Sequence, residues 1–207
     1  MVTIIEIRYI HSFGYIRLDS GEEFWLRQED LHAAGFHEGA EYNKDFFLHQ
    51  IRLLQYPHAL NHAVSMLSRR PCSKNEITSR LTRLMYTAEV TELVVYKLEK
   101  EKLLNDADFC EQWTRFRISR HMGPSVICRE LRMKGISEDI ISAALNHINQ
   151  DEEYENAVFL ARKAWNRIRS GGDIRKNRQK VILSLVRKGY DWDTARSACE
   201  YSEETKE

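Results

Sequence analysis

The chain has 207 residues, 43% of them hydrophobic and 30% charged, with Lys plus Arg and Asp plus Glu balanced at 31 each. That length suits one ordinary domain or two or three small units, and it buries a core without needing disulfides. No apolar run approaches the roughly 20 residues that cross a bilayer, and Glu6 and Arg8 interrupt the beginning where a secretory signal needs an unbroken apolar stretch; the chain reads as cytoplasmic and not membrane-bound.

From the start, Thr3, Ile5, Ile7 and Tyr9 alternate with Ile4, Glu6, Arg8 and Ile10, a strand period rich in β-branched residues. Phe13 to Leu18 and Glu22 to Leu26 repeat that texture on either side of Asp19-Ser20-Gly21, a turn composition. Gln28 to Ala34 reads as a short helix closed by Gly35, with Gly39 marking a further turn. The expectation is a β-rich N-terminal subdomain over residues 1–42.

From Asn43 the pattern is helical. Asn43 is placed to cap a helix containing Phe46, Phe47, Ile51 and Leu54, which Pro57 is expected to break or restart. Ser73 and Glu76 have the spacing of a capping box. An internal repeat then dominates. Leu81 to Thr87 aligns with Leu131 to Ser137, and again with Leu185 to Asp191. In each, one helix ends and another begins at Thr87, Ser137 or Asp191. Gly135 and Gly189 suit a left-handed residue after a helix C-terminus, whereas Met85 predicts a different ending for the first copy. Ile77, Ile127 and Val181 upstream, and Val95, Leu145 and Cys199 downstream, keep the same register.

The predicted fold is therefore mainly α: a curved tandem array of three three-helix repeats after the small β-rich part. Residues 43–104 hold a linker helix and the first repeat, 105–150 the second, and 151–207 the third with an acidic tail. In the second repeat, helices are expected over Ala107 to His121, Pro124 to Lys134 and Glu138 to Asn149. Ser170 to Asn177 is expected to be a mobile loop inside the third.

Catalytic signatures are missing from the sequence: it contains no phosphate-cradling glycine loop, no HExxH and no GxSxG. Cys72, Cys110, Cys128 and Cys199 lack zinc spacing and read as buried hydrophobes. His58 and His62, four apart, give a weak metal signal without a third ligand. The acids Asp151, Glu152 and Glu153 fit a helix start. No cofactor, metal or enzymatic activity is expected.

The basic residues are more informative. Arg115, Arg117, Arg120, Arg129, Arg132 and Lys134 crowd the second repeat, with Glu130 as the nearby acid. Residues 162–189 hold ten Lys or Arg, among them Arg162, Lys163, Arg167, Arg169, Lys180, Arg187 and Lys188, against the single acid Asp173. Such density points to an anionic partner, with a solvated helix face as the alternative. Trp113, Phe116 and Trp165 are assigned to the core, base stacking being the minority reading.

Four segments in order carry a family resemblance: Leu103-Leu104-Asn105-Asp106-Ala107-Asp108-Phe109, Arg115-Phe116-Arg117, Gly123 to Leu131 beginning Gly-Pro, and Lys134-Gly135-Ile136. They resemble the central signature of the RecX family of recombinase regulators. The resemblance covers roughly residues 55–200, and the β-rich beginning is similar to an N-terminal extension seen in some members. It implies a monomer built of tandem three-helix units. Such a protein binds in the groove of the RecA recombinase filament and modulates strand exchange and ATP hydrolysis, usually as an inhibitor, with only weak binding to single- or double-stranded DNA on its own.

On this resemblance Phe109, Gly123, Pro124, Ile127, Leu131, Gly135 and Gly189 serve the fold. Arg115, Arg117, Arg120, Arg129, Arg132, Lys134, Arg162, Lys163, Arg169, Arg187 and Lys188 face the filament or its DNA. The rival is a free-standing DNA-binding regulator that uses Pro124 to Lys134 as a recognition helix, although Val126, Ile127, Leu131 and Met133 leave it few polar groups to read bases. A protein-binding scaffold without DNA nearby comes third.

Overall fold

In the computed structural model, residues 1–168 and 173–204 are described, and the chain divides into two compact units, Met1–Asn105 and Asp106–Glu207. In the first unit, strands β1 (Val2–Ile10), β2 (Phe13–Leu18), β3 (Glu23–Arg27) and β4 (Glu41–Tyr42) form an antiparallel sheet in the order β3-β2-β1-β4. Strand alternation places Val2, Ile4, Ile16, Leu18, Phe24 and Leu26 in one buried cluster. The two-residue β4, which pairs Val2 with Tyr42 and Thr3 with Glu41, falls in the segment that the sequence marked only as a turn. Such a short edge strand carries too few residues to show a period. Helix α1 (Gln28–Ala34) ends at Gly35, as the sequence predicts.

Asn43 caps α2 (Lys44–Leu67), its side chain accepting from the Phe46 amide at 3.1 Å. Phe47 and Ile51 bury against the sheet, a contribution of about 1.5–3 kcal/mol for each side chain. Ala59 and Ala63, two and three turns further on, enter the next core. Pro57 does not break the helix as expected; α2 runs through it. Proline withholds the N–H that would bond the carbonyl of Leu53, but Leu53 is exposed, so water can serve that carbonyl. Burial of Ile51 and Gln55 upstream and of Ala59 and Ala63 downstream holds both halves on one axis. Gln55, 2% exposed, donates to the carbonyl of Trp25 at 2.8 Å and accepts from the Thr87 amide at 2.9 Å. It thereby ties the sheet to the first repeat's turn.

Helices α3 (Lys74–Arg83) and α4 (Ala88–Lys100) complete that repeat, and the Ser73–Glu76 capping box is present in both directions. The second unit holds α5 (Asp106–Ile118), α6 (Pro124–Met133) and α7 (Glu138–Asn146), then α8 (Gln150–Trp165), α9 (Ile174–Lys188) and α10 (Trp192–Glu204). The three repeat turns share one hydrogen-bond pattern. The Tyr86 amide bonds the carbonyl of Leu81 at 3.2 Å, Ile136 that of Leu131 at 3.1 Å, and Tyr190 that of Leu185 at 3.3 Å.

Met85 was expected to end its helix differently, yet it takes φ 63°, beside 76° at Gly135 and 101° at Gly189. The closure of the turn outweighs the cost of a left-handed non-glycine residue, roughly 1–2 kcal/mol. The expected loop over Ser170 to Asn177 is also shorter than predicted. Asp173 caps α9 by accepting from the Arg175 amide at 2.9 Å, and Ile174 to Asn177 are helical. The first part of that loop lies outside the described residues.

Phe109, Cys110, Ile127, Leu131, Ile136 and Ile141 form the core of the second repeat. Ala157, Ala161, Trp165, Val181, Leu185, Tyr190 and Cys199 belong to that of the third. All four cysteines are free thiols; Cys72, Cys110 and Cys199 are buried and Cys128 half-buried. Burial pushes the Cys199 thiol up to about 11, so it packs as a small hydrophobe.

The two repeats of this unit meet backbone to backbone. The Gly123 amide donates to the carbonyl of Lys188 at 2.9 Å and the Ser125 amide to that of Gly189 at 3.1 Å. A Cβ on Gly123 would fall 2.4 Å from the Gly189 carbonyl carbon, and one on Gly189 would fall 2.6 Å from the Val126 nitrogen. His121 reinforces the joint through a hydrogen bond to Asn156 and a ring contact with Phe159 at 4.5 Å.

Candidate functional site

Along α5, Phe109, Trp113 and Phe116 recur at helical spacing, with neighbouring ring centroids 6.0 and 5.9 Å apart. Phe109 is buried and Trp113 partly so, but Phe116 is 47% exposed, which corrects its assignment to the core. It sits seven residues after Phe109, at the C-terminal end of the stripe. Cations stand over these rings. The Lys134 ammonium lies 4.2 Å from the Trp113 centroid and 5.4 Å from Phe109, and the Arg120 guanidinium is 5.6 Å from Phe116. Glu130 joins the group, accepting from Trp113 Nε1 at 3.1 Å and pairing with Arg117. Arg117 is mostly buried, its side chain 19% exposed.

The remaining second-repeat cations point elsewhere. Arg115, on another side of α5, pairs with Glu111 at 3.1 Å and lines a cleft with His147 and Glu152. Arg132 makes a two-pronged contact with Glu138, at 2.5 and 2.8 Å. That bond holds the Glu138 carboxyl below its usual range and pushes the guanidinium further up. Arg129 is exposed and forms no ion pair among the described residues. The six basic residues are thus spread over more than one surface, and Arg115, Arg117 and Arg132 pair with carboxylates of the same chain. Glu111 was legible as the i−4 neighbour of Arg115. Glu138 lies across a turn from Arg132, where sequence spacing gives no rule.

In the third repeat Arg162 stands 5.7 Å from the Tyr201 ring, and Arg187 is exposed. Arg169 lies outside the described residues. Lys163, Arg167, Lys180 and Lys188 line a groove of about 270 Å³ along α8, the turn after it and α9. Arg167 and Lys180 belong to the same basic run, and nothing in their local sequence separates them from its other members; their place in the groove depends on how α9 packs against α8. Trp165, by contrast, is buried as expected, with Nε1 donating to the Cys199 carbonyl at 3.4 Å.

Elsewhere, His58 bonds Asp30 at 2.9 Å and His62 bonds the Tyr86 hydroxyl at 2.8 Å. The two histidines therefore turn to different partners. Burial, with the Arg27 and Arg80 charges, lowers the His62 pKa. Among the described residues no helix is long and apolar enough to cross a membrane.

Family models describing the second and third three-helix domains of RecX match residues 105–145 and 151–199. A regulatory protein RecX of Mycolicibacterium smegmatis is 32% identical over 145 residues, covering 66% of this chain and 75% of the relative. The chain belongs to the RecX family of regulatory proteins. The RecX of Bacillus pumilus is 35% identical over 136 residues, 63% of this chain, and the chain spans about half the length of that relative. A crystal structure of a regulatory protein RecX matches 97% of this chain and all of its own, with a TM-score of 0.67 at 24% identity, and so shares the fold, including the β-rich part. The match over Gly123 and Gly189 falls on the joint between the two RecX domains.

Proposed function

We propose that this RecX chain binds the RecA recombinase filament on DNA and modulates, as an inhibitor, its strand exchange and ATP hydrolysis. The observation that carries the reading is the second unit, in which two RecX domains are fixed to one another through Gly123 and Gly189 while both present cations outward. A rigid pair of small units suits a long repetitive partner, because each domain can meet a different part of it. Complementary charge guides the encounter. The action needs no chemistry of its own: a ligand that binds one filament state better than another shifts the population toward it.

The rival, a recognition helix at α6, finds little support. Val126, Ile127 and Leu131 are buried, and Arg132 is engaged by Glu138. The test is co-sedimentation with recombinase filaments assembled on single-stranded DNA, compared with the same DNA alone. Preference for the filament is expected; equal binding to naked DNA contradicts the proposal and favours the rival.

A further inference from the structure

The groove between α8 and α9 differs in kind from the basic surfaces of the second repeat. Lys163 is on the last turn of α8 and Arg167 in the turn that follows it, while Lys180 and Lys188 are eight residues apart on α9. At 1.5 Å per residue the α9 row runs about 12 Å along its helix. All four side chains are exposed, and among the described residues none makes an ion pair and no carboxylate lines the groove. Its floor includes Val181 and Ile168, part of the repeat's packed core or lying against it, so the walls are held by rigid helices.

We propose that this groove takes the phosphodiester backbone of a single DNA strand. The assignment rests on the filament reading for the presence of DNA, and deepens it by naming where the nucleic acid lies. Charge complementarity argues for the occupant: four exposed cations lining one groove match a linear polyanion whose charges repeat along its length. Three of the four groove cations are lysines, point charges that tolerate any orientation of a neighbouring phosphate oxygen. Among the described residues no aromatic ring lines the groove, so it holds backbone without stacking bases, and its binding is indifferent to sequence.

The test uses the full chain and a labelled oligothymidylate, with affinity measured by anisotropy across a salt series. Each phosphate contact with a single strand contributes about 0.7 to the slope of log affinity against log salt. The double variant Lys180→Gln, Lys188→Gln should therefore flatten the slope by about 1.4 and bind several-fold more weakly at low salt, with wild-type melting. Should that variant melt early, Lys163→Gln, Arg167→Gln on the opposite wall gives the same readout.

A folded variant with the wild-type slope overturns the assignment, as does a wild-type chain that fails to bind the oligonucleotide at low salt. Loss of filament binding with naked-strand binding intact would mean that the groove meets an acidic protein surface, and also overturns it. A wild-type chain whose groove binds the strand but which shows no preference for filaments sinks the proposed function and leaves the groove's ligand standing. Filament preference with an unchanged slope does the reverse.

Discussion

The second and third repeats are both rich in basic residues, and the fold uses the charge differently in each. In the second, Glu111, Glu130 and Glu138 hold Arg115, Arg117 and Arg132, while Lys134 lies over ring faces. In the third, Lys163, Arg167, Lys180 and Lys188 line a groove with no carboxylate among the described residues. Charge density along a sequence is thus a poor measure of charge offered to a partner. A carboxylate one helical turn away, or across a turn, can consume it.

The joint fixes the two repeats to one another, and the largest effect is expected there. Gly123→Ala or Gly189→Ala pushes a methyl group into backbone at 2.4 to 2.6 Å. Overpacking of this kind should cost about 1–3 kcal/mol. Gly189→Ala should cost more than Gly123→Ala because its φ of 101° also strains any side chain. Thermal melting of the full chain measures both, and wild-type melting of either would show that the repeats are not locked at this point.

Glu130→Ala should come next. It strands a mostly buried guanidinium and leaves Trp113 Nε1 without its acceptor, at about 2 kcal/mol. If melting barely moves, the Arg117–Glu130 pair is not holding α5 against α6, and Arg117 is available to a partner after all. Met85→Gly should act in the opposite direction. It relieves a left-handed methionine whose side chain is half exposed, raising stability by about 1 kcal/mol. A destabilised Met85→Gly chain would mean that the methionine side chain contributes more than its backbone costs.

The smallest effect is expected at the exposed Arg132–Glu138 pair, where Arg132→Gln should cost no more than about 1 kcal/mol and leave filament affinity unchanged. A several-fold loss of affinity would return Arg132 to the contact surface.

Much of this fold was legible because its signals are local. Strand alternation, the Asn43 cap, the Ser73–Glu76 box and the repeated turns each need only a few neighbouring residues. The reading failed where a distant contact overrode a local preference. Pro57 stays helical because two cores flank it, and Met85 turns left-handed because the turn must close as its two counterparts do. The candidate surface was half legible for the same reason. Composition marked the basic runs, but whether a given cation is free depends on partners such as Glu138 and on which helix faces α8. Gly123 and Gly189 were assigned to the fold from family resemblance, while their mutual contact, 66 residues apart in the chain, could not be read from either neighbourhood.

The contrast between the repeats is tested most directly by the salt dependence of filament binding in two double variants measured side by side. Arg115→Gln, Arg132→Gln removes charges that the fold has already neutralised, and should keep the wild-type slope. Lys180→Gln, Lys188→Gln removes open charges and should flatten it. The opposite pattern, a flattened slope in the first and a wild-type slope in the second, would contradict the account.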